Sequence, residues 1–271
     1  MLNQRVITAL VLGGVFLVVL LALPPVFFQL FMVLVFAIGS WEWSNLAGVS
    51  SLVARAAFSL AMLLLLAGVW FDPFGLDLLM PILTVAVCWW GIALLWVQGY
   101  PSSSVFWQSP VARLVIGLFV LIPTAVALLH LHSMPNGEWL IVALLVVVSC
   151  ADSGAYFSGR AFGKRKLAPK VSPGKSWEGV VGGFVLVACV AAAFGGFYQG
   201  AVGAVLIVAL PAAAISVLGD LLESMLKRHR GIKDSGSILP GHGGVLDRID
   251  GVTSAAPVFA LAVSATGWVI S

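Results

Sequence analysis

Apolar stretches of about twenty residues recur from one end of this 271-residue chain to the other, and that recurrence limits its possible folds more than any other feature. Each stretch is long enough to cross roughly 30 Å of hydrocarbon as a helix, so the expected fold class is all-α, a polytopic integral membrane protein. A membrane β-barrel needs apolar and polar residues alternating in segments of about ten, whereas the runs here are continuous. Composition closes the other routes. Of all residues 61% are apolar and 9% charged, against about 25% charged in a soluble domain. This excludes a soluble globular enzyme, a disordered chain and a nucleic-acid-binding module.

Hydropathy predicts about nine transmembrane helices, near 6–23, 26–40, 56–71, 78–97, 113–131, 139–158, 177–198, 201–219 and 252–270. The first resembles a signal peptide, but its length, the Pro24-Pro25 pair after it and the spans beyond make it a retained helix. With the N-terminus inside, the cytoplasmic segments hold all 14 Lys and Arg residues, while the opposite loops hold only Asp72, Asp77 and Glu138. That asymmetry gives an N-in, C-out topology. Cys88, Cys150 and Cys189 lie singly in apolar runs and read as packing residues. His130 and His132 fall near the outer face.

The cations are concentrated further. Arg160, Lys164, Arg165, Lys166, Lys170 and Lys175 follow the sixth span, and Lys227, Arg228, Arg230, Lys233 and Arg248 follow the eighth. This divides the chain into residues 1–138, about five spans, and 139–271, a membrane region with cytoplasmic loops at 159–176 and 220–251.

The first loop mixes glycines with Lys, Arg and Ser, a composition suited to phosphate because bare backbone N–H groups approach closely while cations neutralise charge. Its Ser172-Pro-Gly-Lys175-Ser segment echoes a P-loop, but Pro169 stands where that motif requires glycine. Ser172 also reads as the N-cap of the seventh helix. Asp152 sits near the inner end of an apolar span, where an ionised carboxylate costs on the order of 2.5–3.5 kcal/mol, so it is expected to face a cavity or hold an ion. In the second loop, Asp220, Glu223, Ser224 and Lys227 share one face if the eighth helix continues inward, and Asp247 and Asp250 share another if that segment is helical. Oxygen ligands without cysteine point to Mg²⁺ or Mn²⁺. Carboxylates with Lys and Arg at the inner mouth of a membrane domain are the inventory of phosphoryl chemistry. His242, between glycines, reads as a phosphate contact, a general acid or a turn residue.

Residues Ser224 to Asp250 match S-x-x-K-R-x4-K-D-x-[GSA]-x2-[LIF]-[PG]-x-H-G-G-x2-D-R-[hydrophobic]-D at every fixed position over 27 residues. This pattern resembles that of the phosphatidate cytidylyltransferases, or CDP-diacylglycerol synthases. The upstream D-x-G-A-Y-F-x-G-R-x-F-G-K and S-P-x-K-S-x-E-G stretches are similar too, with Glu42-Trp43 as weaker support. The resemblance implies transfer of a cytidylyl group from CTP to phosphatidate, dependent on Mg²⁺, with Mn²⁺ as a substitute, a second metal and a homodimer as further possibilities. It makes residues 139–271 the catalytic region and 1–138 the spans for packing and lipid entry; CTP being cytosolic, the positive-inside count then implies a bacterial inner membrane with the site facing the cytoplasm.

Given that resemblance, Asp220, Asp247 and Asp250 are expected to ligate metal, with Glu223 or Asp234 supplementary. Lys175, Lys227, Arg228, Lys233 and Arg248 would hold the triphosphate and the lipid phosphate. Asp152 and Ser224 would line the same cavity, and Ser172, Gly243 and Gly244 would contact the CTP phosphates alongside Lys175 and His242. Two other readings differ: a CTP-dependent enzyme for an ether lipid or polyprenol, and a transporter. Against the latter, the ionisable residues cluster on one side and no internal repeat is evident.

Overall fold

The structure, a computed structural model, describes residues 2–72, 75–197, 201–239, 241 and 243–268. Among these, nine helices run in chain order: α1 (Leu2–Leu21), α2 (Pro25–Leu46), α3 (Leu52–Phe71), α4 (Leu79–Gln98), α5 (Pro110–Ser133), α6 (Gly137–Phe162), α7 (Trp177–Phe197), α8 (Val202–Arg230) and α9 (Leu246–Thr266). Helices α2 to α9 are each long and apolar enough to cross a membrane, and the apolar stretch of α1 runs over Leu10–Leu21. The chain is a multi-pass helical membrane protein. Its three cysteines are free.

The helices follow the predicted spans but overrun them at the inner side. Helix α2 runs to Leu46, α6 to Phe162 and α8 to Arg230, while α9 begins at Leu246. Hydropathy ends where polar residues begin. The helices continue because those polar residues pack on one another across α8 and α9 instead of meeting lipid.

One expectation needs correction. Residues 172–176 do not open the seventh helix. They form β2 (Ser172–Ser176), paired antiparallel with β1 (Lys166–Ala168), with Lys166 opposite Ser176 and Ala168 opposite Ser172. The N-cap is Ser176, whose Oγ accepts the Gly179 N–H at 3.1 Å, the bond to the third helical residue that a capping serine makes. Ser172 sits four residues earlier, within a strand, too far away to cap. The hairpin projects Lys175 back over the ends of α6 and α8.

Small residues let the inner-side helices touch backbone to backbone. A Cβ at Gly183 would lie 2.6 Å from the Ala151 carbonyl oxygen, which fixes α7 against α6 just above Asp152. A Cβ at Gly219 would overlap the Asp250 carbonyl oxygen, so α8 and α9 meet where each carries an acidic residue. Gly219→Ala is therefore expected to destabilise the protein by about 1–3 kcal/mol, as overpacking does, and to lower turnover by separating Asp220 from Asp250. Thermal unfolding in detergent, with turnover measured on the same sample, checks both effects.

Candidate active site

The inner half of α8 carries the centre of the polar cluster. Because α8 continues past its apolar stretch, Asp220, Glu223, Ser224 and Lys227 stack on one face. The Lys227 Nζ lies 2.6 Å from Asp247 Oδ1 and 3.2 Å from Glu223 Oε1. All three side chains are almost wholly buried, at 12% exposed for Lys227, 6% for Asp247 and 5% for Glu223. A cation held between two carboxylates at such depth is an ion triad whose members depend on one another for charge compensation.

Asp247 is held from its other side as well. Its Oδ2 accepts the backbone N–H of Ser235 at 2.9 Å and of Gly244 at 2.8 Å, and the Ser235 hydroxyl at 3.0 Å. The α8–α9 loop thus folds around this carboxylate. Below it lies Glu42 of α2, 2% exposed, which accepts the N–H of Val245 at 3.1 Å, the N–H of Leu246 at 2.9 Å and the Ser235 hydroxyl at 3.3 Å. Val245 and Leu246 open α9, where N–H groups lack intrahelical partners and a negative charge is favoured. Glu42 therefore caps α9 from a helix about two hundred residues away in sequence. Gly244 is required at its position because a Cβ there would lie 2.5 Å from Glu42 Oε2.

Beside the triad lies a second group open to a cavity of about 470 Å³, whose walls include Asp152, Tyr156, Arg160, Lys175, Ser176 and Asp220. Lys175 reaches from β2 to place Nζ 2.6 Å from Asp220 Oδ2, and Ser224 Oγ donates to Asp220 Oδ1 at 3.0 Å. Asp152 interacts electrostatically with Lys175 and Asp220, and Asp250 with Asp220, Lys175 and Lys227. Arg228 donates from Nε to the Val171 carbonyl at 3.3 Å, fastening the hairpin to α8.

The structure thus joins Asp152, Lys175, Asp220, Glu223, Ser224, Lys227, Asp247 and Asp250 in one continuous polar region. Lys233 and Asp234 are exposed on the α8–α9 loop, and Asp234 packs over Gly243. Arg248 is exposed in the first turn of α9, and Ser172 is half-buried in β2. His242 lies outside the described residues. Glu42, Ser176 and Ser235 are supporting residues that sequence reasoning did not place. For Glu42 a signal existed: a carboxylate inside an apolar span, the same argument that singled out Asp152.

A divalent cation suits the chemistry of this donor set. Among the described residues no three such side chains already stand at ligand spacing. However, Asp152 and Asp250 each interact electrostatically with Asp220 and Lys175, while Lys227 is held between Glu223 and Asp247. The donors are all hard oxygens, and the local charge is negative.

The chain matches the cytidylyltransferase family over residues 3–266. It is 46% identical to the phosphatidate cytidylyltransferase of Pseudomonas aeruginosa over 276 residues, covering 99% of each chain. It is 43% identical to that of Haemophilus influenzae, covering 96% of this chain and 97% of the relative. The Bacillus subtilis enzyme of the same name is 48% identical over 107 residues, 39% of this chain and 40% of the relative.

Proposed function

This chain belongs to the cytidylyltransferase family, and we propose that its polar cavity transfers the cytidylyl group of CTP to phosphatidate, giving CDP-diacylglycerol and pyrophosphate. The observation that carries the reading is the Lys175–Asp220 pair lining one cavity with Asp152, beside the buried Lys227 triad of α8 and α9. The phosphate of phosphatidate is already an anion, so its attack on the α-phosphorus of CTP needs little or no general base. The barrier comes from bringing two anions together and in line, which fixed cations and positioning reduce. Lys175 and Arg160 line the cavity to receive phosphate oxygens, with Arg228 and Arg248 on neighbouring turns.

Asp220 and Asp250, with Asp152 opposite, would hold Mg²⁺, or Mn²⁺ in its place, with room in the carboxylate set for a second ion. Such an ion would neutralise the triphosphate and the charge on departing pyrophosphate. In this reading Asp247 acts as a positioning residue, because four donors already converge on it; Glu223 shares in holding Lys227.

A lipid substrate is supported by a second cavity, of about 400 Å³ and almost wholly apolar. It runs along α6 from Cys150 to Trp139, outward from Asp152, between walls that include Val187, Ala191, Val208 and Phe259. The eleven helical steps between Cys150 and Trp139 span about 16 Å, close to half of a roughly 30 Å hydrocarbon layer, a depth that suits an acyl chain whose phosphate lies at Asp152. The expected clustering of Lys and Arg on one side supports, by the positive-inside rule, a site at the cytoplasmic face of a bacterial inner membrane, where CTP is available.

The test is turnover by purified protein in detergent micelles with CTP, Mg²⁺ and phosphatidate, following pyrophosphate and CDP-lipid. Wild type is expected to need phosphatidate. Lys175→Met and Asp220→Asn are expected to lose on the order of 10²–10³ in kcat each, as when one electrostatic contact to a developing charge is removed. Turnover only with a different lipid acceptor would replace the substrate. Absence of nucleotide consumption with any acceptor, in folded protein, would overturn the reading.

A further inference from the structure

The basic residues at the inner end are not equally provided with partners. Lys175 and Lys227 are paired with carboxylates. Arg55 donates to the Ser44 hydroxyl at 3.1 Å and the Trp41 carbonyl at 3.0 Å, and lies over the Trp41 ring. Arg113 differs. It is 7% exposed, and among the described residues its Nε has no hydrogen-bond partner and no carboxylate pairs with its guanidinium. A buried cation left this way is costly unless an anion completes it.

Its neighbours are other basic side chains. One point beside Gly48, where a Cβ would stand, lies 3.3 Å from Arg113 Nη2 and 3.6 Å from Arg230 Nε. His229 interacts electrostatically with Arg113, its ring held at 4.8 Å, edge to face, against the buried Trp107. Arg113 lies in the first turns of α5. Arg113 from the α5 start and Arg230 from the α8 end therefore meet at the α2–α3 turn with His229 beside them, and among the described residues no carboxylate pairs with any of the three.

We propose that Arg113, His229 and Arg230 form an anion site for a phosphate group, separate from the candidate active site. The active cavity is built by α6, β2, α7 and α8; this site is built by α5, the end of α8 and the turn at Gly48. Next to it the chain presents Val105, Phe106 and Val111, about 70% exposed or more, an apolar rim that places the cations at headgroup level. An anion there would tie the inner end of α8 to α5 and to the α2–α3 turn. Asn45, in the last turn of α2 before that turn, holds the Ser235 carbonyl at 3.4 Å, so the site adjoins the loop that grips Asp247. The phosphate belongs either to an anionic lipid headgroup or to a soluble phosphate.

The experiment is a titration of thermal stability in detergent micelles with three probes: phosphatidylglycerol, phosphatidylcholine and inorganic phosphate. A ligand that binds only the folded state raises the unfolding midpoint with its concentration. Wild type, Arg230→Gln, Arg113→Gln and the active-site variant Lys175→Met are compared. Stabilisation of wild type is expected to weaken about tenfold in apparent affinity in Arg230→Gln, as loss of one charge-assisted contact implies, and to persist in Lys175→Met. Arg230 is exposed, so its variant keeps the test valid if Arg113→Gln does not fold. A response to phosphatidylglycerol without one to inorganic phosphate supports the site and assigns it to a lipid headgroup; a response to both supports it as a general phosphate site. Equal stabilisation of wild type and Arg230→Gln, loss in Lys175→Met instead, or no stabilisation of wild type by either anion overturns the proposal.

Discussion

Lys227→Met is expected to remove turnover and to lower stability by about 3–5 kcal/mol, the cost of breaking a buried ion pair from one side. The methionine fills nearly the same volume, so packing changes little. What changes is charge: Glu223 and Asp247, both nearly fully buried, lose the cation between them. Lys227→Arg tests the geometry, because a planar fork cannot place one nitrogen 2.6 Å from Asp247 and 3.2 Å from Glu223 as the ammonium does. It is expected to recover part of the stability and little of the turnover. Thermal or denaturant unfolding in detergent, with pyrophosphate release on the same samples, reads both. A Lys227→Met protein as stable as wild type would show that the triad contributes nothing to the fold.

Glu42→Ala has the second-largest expected effect, at a position outside the C-terminal region altogether. It strips acceptors from the N–H groups of Val245 and Leu246 and from the Ser235 hydroxyl. Buried donors left unpaired cost about 1–3 kcal/mol each, so the start of α9 is expected to open locally, carrying Asp247 and Asp250 with it. Hydrogen exchange over residues 243–250 should quicken, and kcat should fall at least about tenfold, since small misplacements of charged groups cost large factors in rate. Glu42→Gln, which keeps one acceptor oxygen, should fall between. Unchanged exchange and kcat in Glu42→Ala would show that α9 is held without its cap.

These two residues also mark what could be read from the chain. The Lys227 face was legible because a single helix carries it: i, i+3, i+4 and i+7 spacing puts Asp220, Glu223, Ser224 and Lys227 together once α8 continues inward. Asp152 was legible through the cost of a carboxylate in an apolar span. The Ser172 cap was misplaced because strand pairing within the hairpin, which spacing alone does not announce, moved the helix start to Trp177 and the cap to Ser176. Glu42 met the same criterion as Asp152, but nothing in the sequence says which N–H groups two hundred residues away it will satisfy.

The amino-acid order was enough to specify the spanning helices, the expected side of the cations, and the motif residues that would converge. Those follow from hydropathy over about 30 Å, from charge asymmetry and from helical periodicity, all of which are local along the chain. Only the tertiary structure decided that Lys227 is shared between Glu223 and Asp247, that Lys175 reaches Asp220 from a strand, that Glu42 caps α9, and that Arg113 lies buried beside Arg230. Each depends on which helix faces pack together. In a membrane that choice rests on small-residue contacts such as Gly183 on Ala151 and Gly219 on Asp250, and on the cost of leaving any buried polar group unpaired.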